Sequence, residues 1–292
     1  MATDRTDALV GTEWLAEHLE APDIRIVDAT YYLPDEGENA RQRFEEAHIP
    51  GAVFFDIDDI ADTTQDLPHM VPPPEKFSAK VRRLGLGDGS RIVVYDQKGL
   101  FSAPRVWWMF RLFGHQDVAV LDGGLPKWQR EERPVADGPP RISGERHFTA
   151  RMNNTMIRDL DQVRRNLQTK RTQVVDARSP ERFRGEAPEP RADLRAGHIP
   201  GSRNVPYSSL VDSATGTLKD GDAITQILKD AGVDPKKPVV TTCGSGVTAC
   251  ALALALRTIG AKDIAVYDGS WAEWGRHDDT PVETGPADTE HA

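Results

Sequence analysis

The feature that most constrains this chain is that it is written twice. His48-Ile49-Pro50-Gly51-Ala52 returns as His198-Ile199-Pro200-Gly201-Ser202, Val27-Asp28-Ala29 returns as Val175-Asp176-Ala177, and Asp122-Gly123 with Trp128 returns as Asp268-Gly269 with Trp274. The displacements are 150, 148 and 146 residues. Markers in one order at a nearly constant displacement mean duplicated domains, because a solenoid repeat would recur every ~20–50 residues. Each half of the 292-residue chain is long enough to bury its own core, so the halves are expected to share one fold.

Within each half, short β-branched runs alternate with longer helical stretches. Ile24–Val27, Arg91–Tyr95 and Val118–Leu121 read as buried strands, and so do Gln173–Val175, Pro238–Thr242 and Ile264–Tyr267. Ala103–Phe113 and Thr248–Ile259 read as helices stopped by Gly114 and Gly260. Such alternation predicts an α/β fold: two tandem domains, each a mainly parallel sheet flanked by helices. Between Pro134 and Asn154 the apolar period is lost and Gly138, Pro139-Pro140 and Gly144 appear. The expected division is a domain over 1–138, a linker over 139–155 and a second domain over 156–292, with the polar tail beyond Val282 fraying.

Charge and cysteine usage exclude several classes of partner. Lys and Arg number 36 against 46 Asp and Glu, and the net charge of −10 opposes binding to nucleic acid or to an anionic membrane surface. No apolar run approaches the length of a membrane span, and the start MATDRTDALVGTEW has no apolar core of a secretory signal, so a cytoplasmic protein is expected. Cys243 and Cys250 are the only cysteines. They are too few for a disulfide framework or, without heavy histidine help, a thiolate metal site, and too far apart for a Cys-x-x-Cys redox pair; thiol chemistry on a single cysteine needs neither metal nor organic cofactor.

A duplicated chain lets one half act as a control for the other. After the strand Pro238–Thr242 comes Cys243-Gly244-Ser245-Gly246-Val247-Thr248, whereas a displacement of 146 sets Gln97-Lys98-Gly99-Leu100-Phe101-Ser102 against it, with no cysteine. Only the second half can do thiol chemistry. A cysteine between a strand end and a helix start meets converging N–H groups and the positive end of the helix dipole, which favour an anion on sulfur. Gly244 and Gly246 allow close backbone approach, and Ser245 offers a hydroxyl. Cys250, in Ala249-Cys250-Ala251-Leu252-Ala253-Leu254, reads as an inert core cysteine. Trp107, Trp108, Trp128, Trp271 and Trp274 read as core or interface anchors, and the Asp122 and Asp268 loops as tight strand-to-helix turns.

The loop CGSGVT, the two HIPG turns and DGSWAEW together resemble the tandem-domain sulfurtransferases of the rhodanese superfamily, over nearly the whole chain. The resemblance implies rhodanese-like domains, the first catalytically silent and the second carrying a cysteine that becomes a persulfide. Within the family the likeness is to members that take 3-mercaptopyruvate. Members specific for thiosulfate look like Cys-Arg-Lys-Gly-Val-Thr, with two cations facing a dianion, whereas here the positions are the neutral Gly244 and Ser245. The resemblance further implies that Arg182 and Arg191 hold the donor's carboxylate and ketone, that Gly244, Gly246, Val247 and Thr248 line the donor site, and that Ser245 passes a proton with support from His48. The remaining arginines of the cluster, Arg178, Arg184, Arg195 and Arg203, read as a solvated face of exchanging ion pairs. The twin of His48, His198, occupies the same motif without evident chemistry, and Asn39 stands where related sequences carry Asp.

The expected reaction is attack of the Cys243 thiolate on the sulfur of 3-mercaptopyruvate, release of pyruvate, and transfer of the persulfide sulfur to a thiol such as thioredoxin, to a small thiol or to cyanide. Thiosulfate is the alternative donor. A cysteine phosphatase would need Cys-x5-Arg, and the sixth residue after Cys243 is Ala249. A non-catalytic binding module would suit the first half's loop better than the second's.

Overall fold

The computed structural model describes residues 8–142, 144–191 and 193–287. The start of the opening stretch, residues 1–7, and the end of the tail, 288–292, lie outside the described residues. The chain divides into two units, one comprising Met1–Thr63, Val71–Asn153 and Ser213–Leu218, the other Thr64–Met70, Asn154–Asp212 and Lys219–Ala292. Each unit thus includes one short segment contributed by the opposite half of the sequence.

The first unit holds strands β1 (Leu9–Val10), β2 (Ile24–Asp28), β3 (Val53–Phe54), β4 (Arg91–Tyr95) and β5 (Val118–Leu121), and the second holds β6 (Ile157–Arg158), β7 (Gln173–Asp176), β8 (Arg203–Asn204), β9 (Val239–Thr242) and β10 (Ile264–Tyr267). The sheets have the orders β1-β5-β4-β2-β3 and β6-β10-β9-β7-β8, and every pairing is parallel. The two topologies superimpose strand for strand, so the duplication read from the sequence is a duplication of fold. Inner strands are apolar on both faces because helices cover both. In the first unit Phe44, Ile49, Val93, Tyr95, Leu121 and Trp128 pack into one core, and in the second Val174, Ile199, Val240, Tyr267, Trp271 and Trp274 form its counterpart.

Two expectations need correction. The chain does not come loose at Val282: Glu283 exchanges backbone hydrogen bonds with His198 at 2.8 and 3.0 Å, and Gly285 N donates to Arg184 O at 2.9 Å. The tail thereby pairs with the turn that leads into the edge strand β8, as Ala136 pairs with His48 ahead of β3 in the first unit. The second correction concerns the loop register. Ala29 N donates to Tyr95 O and Ala177 N to Thr242 O, both at 2.8 Å, while Leu125 N donates to Asp96 O and Trp271 N to Cys243 O, both at 3.0 Å. These bonds set Asp96, not Gln97, in the place of Cys243. The constant displacement fails because the loop from Asp96 to the helix Ala103–Leu112 is longer than that from Cys243 to the helix Thr248–Thr258. The stretch 147–153, expected to be linker, runs along the first unit, with Asp88 N bonded to His147 O and Arg151 N to Phe113 O.

Candidate active site

All parallel strands of a sheet end on the same side, and loops after those ends converge there. Cys243 follows the last residue of β9 and is only 2% exposed. Its backbone is tied on the side away from the loop: Cys243 N donates to Ser270 Oγ at 3.2 Å, Trp271 N donates to Cys243 O at 3.0 Å and Ala272 N donates to Gly244 O at 2.8 Å. Gly246 turns the chain with φ +79°, and the buried Cys250 donates its S–H to Gly246 O at 3.2 Å, so the core cysteine also braces the turn. Ser245 and Val247 are buried, and Thr248 opens the helix half-buried.

The first unit shows what such a loop is built to hold. There Asp96 points its own carboxylate into the ring of amides, accepting from Lys98 N at 2.8 Å, Ser102 N at 2.9 Å and Ala103 N at 2.8 Å. Burial pushes the Asp96 carboxyl above the ordinary carboxylate range, against the pull of these backbone donors. One copy therefore satisfies its anion cradle with a fixed carboxylate, and the other presents a sulfur at the same place.

Arg182 is brought to this loop. It lies on the short helix Pro180–Arg184, started by Ser179, and its guanidinium sits so close to Gly244 that a Cβ there would lie 2.9 Å from Nη2. A side chain at 244 would make this guanidinium shift. Glu189 holds it there, with Oε2 2.5 Å from Arg182 Nη2, and the same carboxylate accepts from Arg178 Nη1 at 2.7 Å. Arg178 also pairs with Asp176 at 2.7 Å, donates to Gly197 O at 2.8 Å and lies over the Trp271 ring, 4.3 Å from its centroid. Burial works against the Arg178 charge, but Asp176 and Glu189 outweigh it and hold the guanidinium above its ordinary range.

Arg178 is therefore not part of a solvated face: its side chain is 0% exposed, because two buried carboxylates need it. Arg195 is also structural, donating to Gly275 O at 3.1 Å, Trp274 O at 3.0 Å and Thr280 O at 2.8 Å. Arg184 does form an outer ion pair, with Glu186 at 2.8 Å, and Arg203 is half-buried on β8. Arg191, two residues after Glu189, is half-buried, and its carbonyl accepts from Leu194 N at 3.4 Å.

His48 belongs to the first unit. Its ring stacks on Phe44 with centroids 4.1 Å apart, and Nδ1 bonds Phe44 O at 2.8 Å. His198 does the same with Phe183, at 3.8 and 2.8 Å. A carbonyl can only accept, so Nδ1 carries a proton in both. Burial lowers the His198 pKa. The stacking and the carbonyl bond are thus structural features of the motif in both copies. Asn39 caps the helix Ala40–Glu46, accepting from Gln42 N at 3.0 Å.

Sequence reasoning missed Glu189 and Ser270. Glu189 was hidden among exposed charges, although its Pro188 and Pro190 flanks hinted at a fixed conformation. For Ser270 a signal was present: the copies read Asp122-Gly123-Gly124 and Asp268-Gly269-Ser270. Among the described residues no group of three or more His, Cys, Asp or Glu is placed to hold a metal ion, and no helix is long and apolar enough to cross a membrane.

Comparison with known proteins matches a family model described as a rhodanese-like domain twice, over residues 11–131 and 159–277. The chain is 45% identical over 273 residues to 3-mercaptopyruvate sulfurtransferase of Homo sapiens, covering 91% of each chain. It is 44% identical over 284 residues to thiosulfate sulfurtransferase of Rattus norvegicus, covering 95% of this chain and 94% of that one. Among solved structures it is similar, with a TM-score of 0.84 and 42% identity, to SseA from Escherichia coli, described as a 3-mercaptopyruvate sulfotransferase, over 91% of this chain and 99% of that one.

Proposed function

Because this chain belongs to the rhodanese family, we propose that it is a 3-mercaptopyruvate sulfurtransferase working through a persulfide on Cys243. Identity alone does not separate the two donors, since relatives named for each lie at 45% and 44%. The observation that carries the choice is the neutral loop: Gly244 and Ser245 follow the nucleophile, and the cation beside it, Arg182, is already paired with Glu189. A dianionic donor facing a thiolate would meet little positive charge there, whereas a donor with a single carboxylate needs less charge compensation.

In the reaction, the Cys243 thiolate attacks the donor sulfur and forms an S–S bond as the carbon–sulfur bond breaks. The electron pair goes to carbon as pyruvate enolate, which takes a proton to become pyruvate. Arg182 and Arg191 bind the carboxylate and ketone and stabilise the enolate charge, Ser245 relays the proton, and His48, oriented by its Nδ1 bond to Phe44 O, supports that transfer. Gly246, Val247 and Thr248 complete the donor site. An acceptor thiol such as thioredoxin, or cyanide, then removes the outer sulfur and restores Cys243. In this reading 1–138 is the silent domain, 139–155 the connection and 156–292 the catalytic domain, in a cytoplasmic protein whose thiols stay reduced.

The test is a donor comparison without acceptor, reading intact mass and pyruvate. Wild-type protein is expected to gain the mass of one sulfur atom from 3-mercaptopyruvate and to turn it over faster than thiosulfate, and Cys243→Ser to gain none. Faster use of thiosulfate would overturn the donor assignment, and sulfur uptake by the Ser variant would overturn the nucleophile.

A further inference from the structure

Ser270, in direct contact with the nucleophile's backbone, has no part in the chemistry above. It opens the short helix Ser270–Trp274, is fully buried and has φ +50°, in the left-handed region that a side chain rarely adopts. The first unit places Gly124 at the same corner with φ +55°, where no Cβ opposes that conformation. The neighbouring residues fix the equivalence: Leu125 N bonds Asp96 O, and Trp271 N bonds Cys243 O. The copy with the cysteine therefore carries a strained residue where the copy without it carries a strain-free one.

The strained residue supplies a hydroxyl. Ser270 Oγ donates to Tyr267 O at 2.8 Å and accepts from Cys243 N at 3.2 Å, which uses its proton and one lone pair. In the first unit the loop is held from within, by the Asp96 carboxylate on the amides of Lys98, Ser102 and Ala103. A sulfur that must react cannot serve as that internal anchor, so the second loop has to be held from below. We propose that Ser270 is a positioning residue for sulfur transfer, tying the Cys243 main chain to the end of β10 and thereby fixing the direction in which Sγ leaves the loop. The proposal rests on the sulfurtransferase reading.

Ser270→Gly and Ser270→Ala separate positioning from mere stability. Both remove the hydroxyl, but only glycine also relieves the left-handed strain. Each variant is expected to lose about tenfold in kcat with 3-mercaptopyruvate, the scale of one hydrogen bond, while KM stays within about twofold because Arg182 is untouched. Ser270→Gly should nevertheless melt a few degrees above Ser270→Ala. Amide exchange over 243–248 should quicken in both. A kcat within about twofold of wild type, or activity that recovers in step with melting temperature from the Ala to the Gly variant, would overturn the proposal. If wild-type protein takes no sulfur from 3-mercaptopyruvate, the functional reading falls by itself. The exchange measurement still decides in that case, since unchanged exchange over 243–248 in both variants overturns the tie.

Discussion

At the scale of single residues, the candidate site is built on a buried carboxylate. Glu189 is buried between Arg178 and Arg182, with side-chain exposures of 1%, 0% and 24% respectively. Removing one member of a buried charge network leaves the others unpaired, which costs about 3–5 kcal/mol. Glu189→Gln is expected to lower the unfolding free energy by about 3 kcal/mol in urea. It also makes the loop's surroundings more positive by one charge, so the ratio of thiosulfate to 3-mercaptopyruvate turnover should rise. A ratio that stays flat or falls would mean that Glu189 only holds Arg182 in place. The sequence pointed to Arg182 through its resemblance to the family, but could not distinguish Arg178 from a solvated cation. Burial of a charge is decided by which carboxylates the fold brings to it, and here Asp176 ends β7 while Glu189 lies in the loop after the helix Pro180–Arg184.

At the scale of strands and loops, the end of β2 carries a pH-sensitive group. Asp28 is buried at the last position of β2, and burial raises its pKa from 3.8 to about 6 despite hydrogen bonds from Thr30, Tyr95 and Gln97. Between those two values the folded chain holds a proton that the unfolded chain has lost, so stability falls as pH rises from about 4 to about 6 and is level above. The group accounts for about 2–3 kcal/mol of that fall. Asp28→Asn should remove this part of the slope in urea unfolding measured across the range, and a variant with the wild-type slope would assign it elsewhere. The six inner strands were legible because each is a run of β-branched residues bounded by polar ones. The edge strands β1, β3, β6 and β8 were not, because two residues carry no period. The loop register was misread by one residue for a related reason: a repeat displacement assumes equal loop lengths, and only the backbone bonds of Ala29 and Leu125 reveal that Asp96 is the counterpart of Cys243.

At the scale of the whole molecule, each unit draws on both halves of the sequence: the first includes Ser213–Leu218 and the second Thr64–Met70. In the first unit Leu218 N donates to Asp122 Oδ1 at 2.7 Å, Arg130 donates to Thr215 O, and Gly216 comes so near Gly99 that a Cβ on Gly99 would lie 3.1 Å from Gly216 O. In the second, Arg276 pairs with Asp66 at 3.0 Å. A fragment ending at residue 153 lacks the strap 213–218, so amide exchange over 96–102 should be faster in it than in the intact chain, and equal exchange would show that the strap adds no protection. The sequence marked the duplication but gave no sign of this reciprocity, because straps are recognised by what they touch and not by any pattern of their own.

The reciprocity also sets an order of events during synthesis. A domain that ended at residue 153 could finish folding while its successor was still being made, but here the first unit waits for a segment that leaves the ribosome much later. At typical elongation rates the residues from 154 to 218 take roughly 3–13 s to make, and through that interval the loop at Asp96 is uncovered in the nascent chain. The half of the protein made first is thus completed only when nearly half of the second exists.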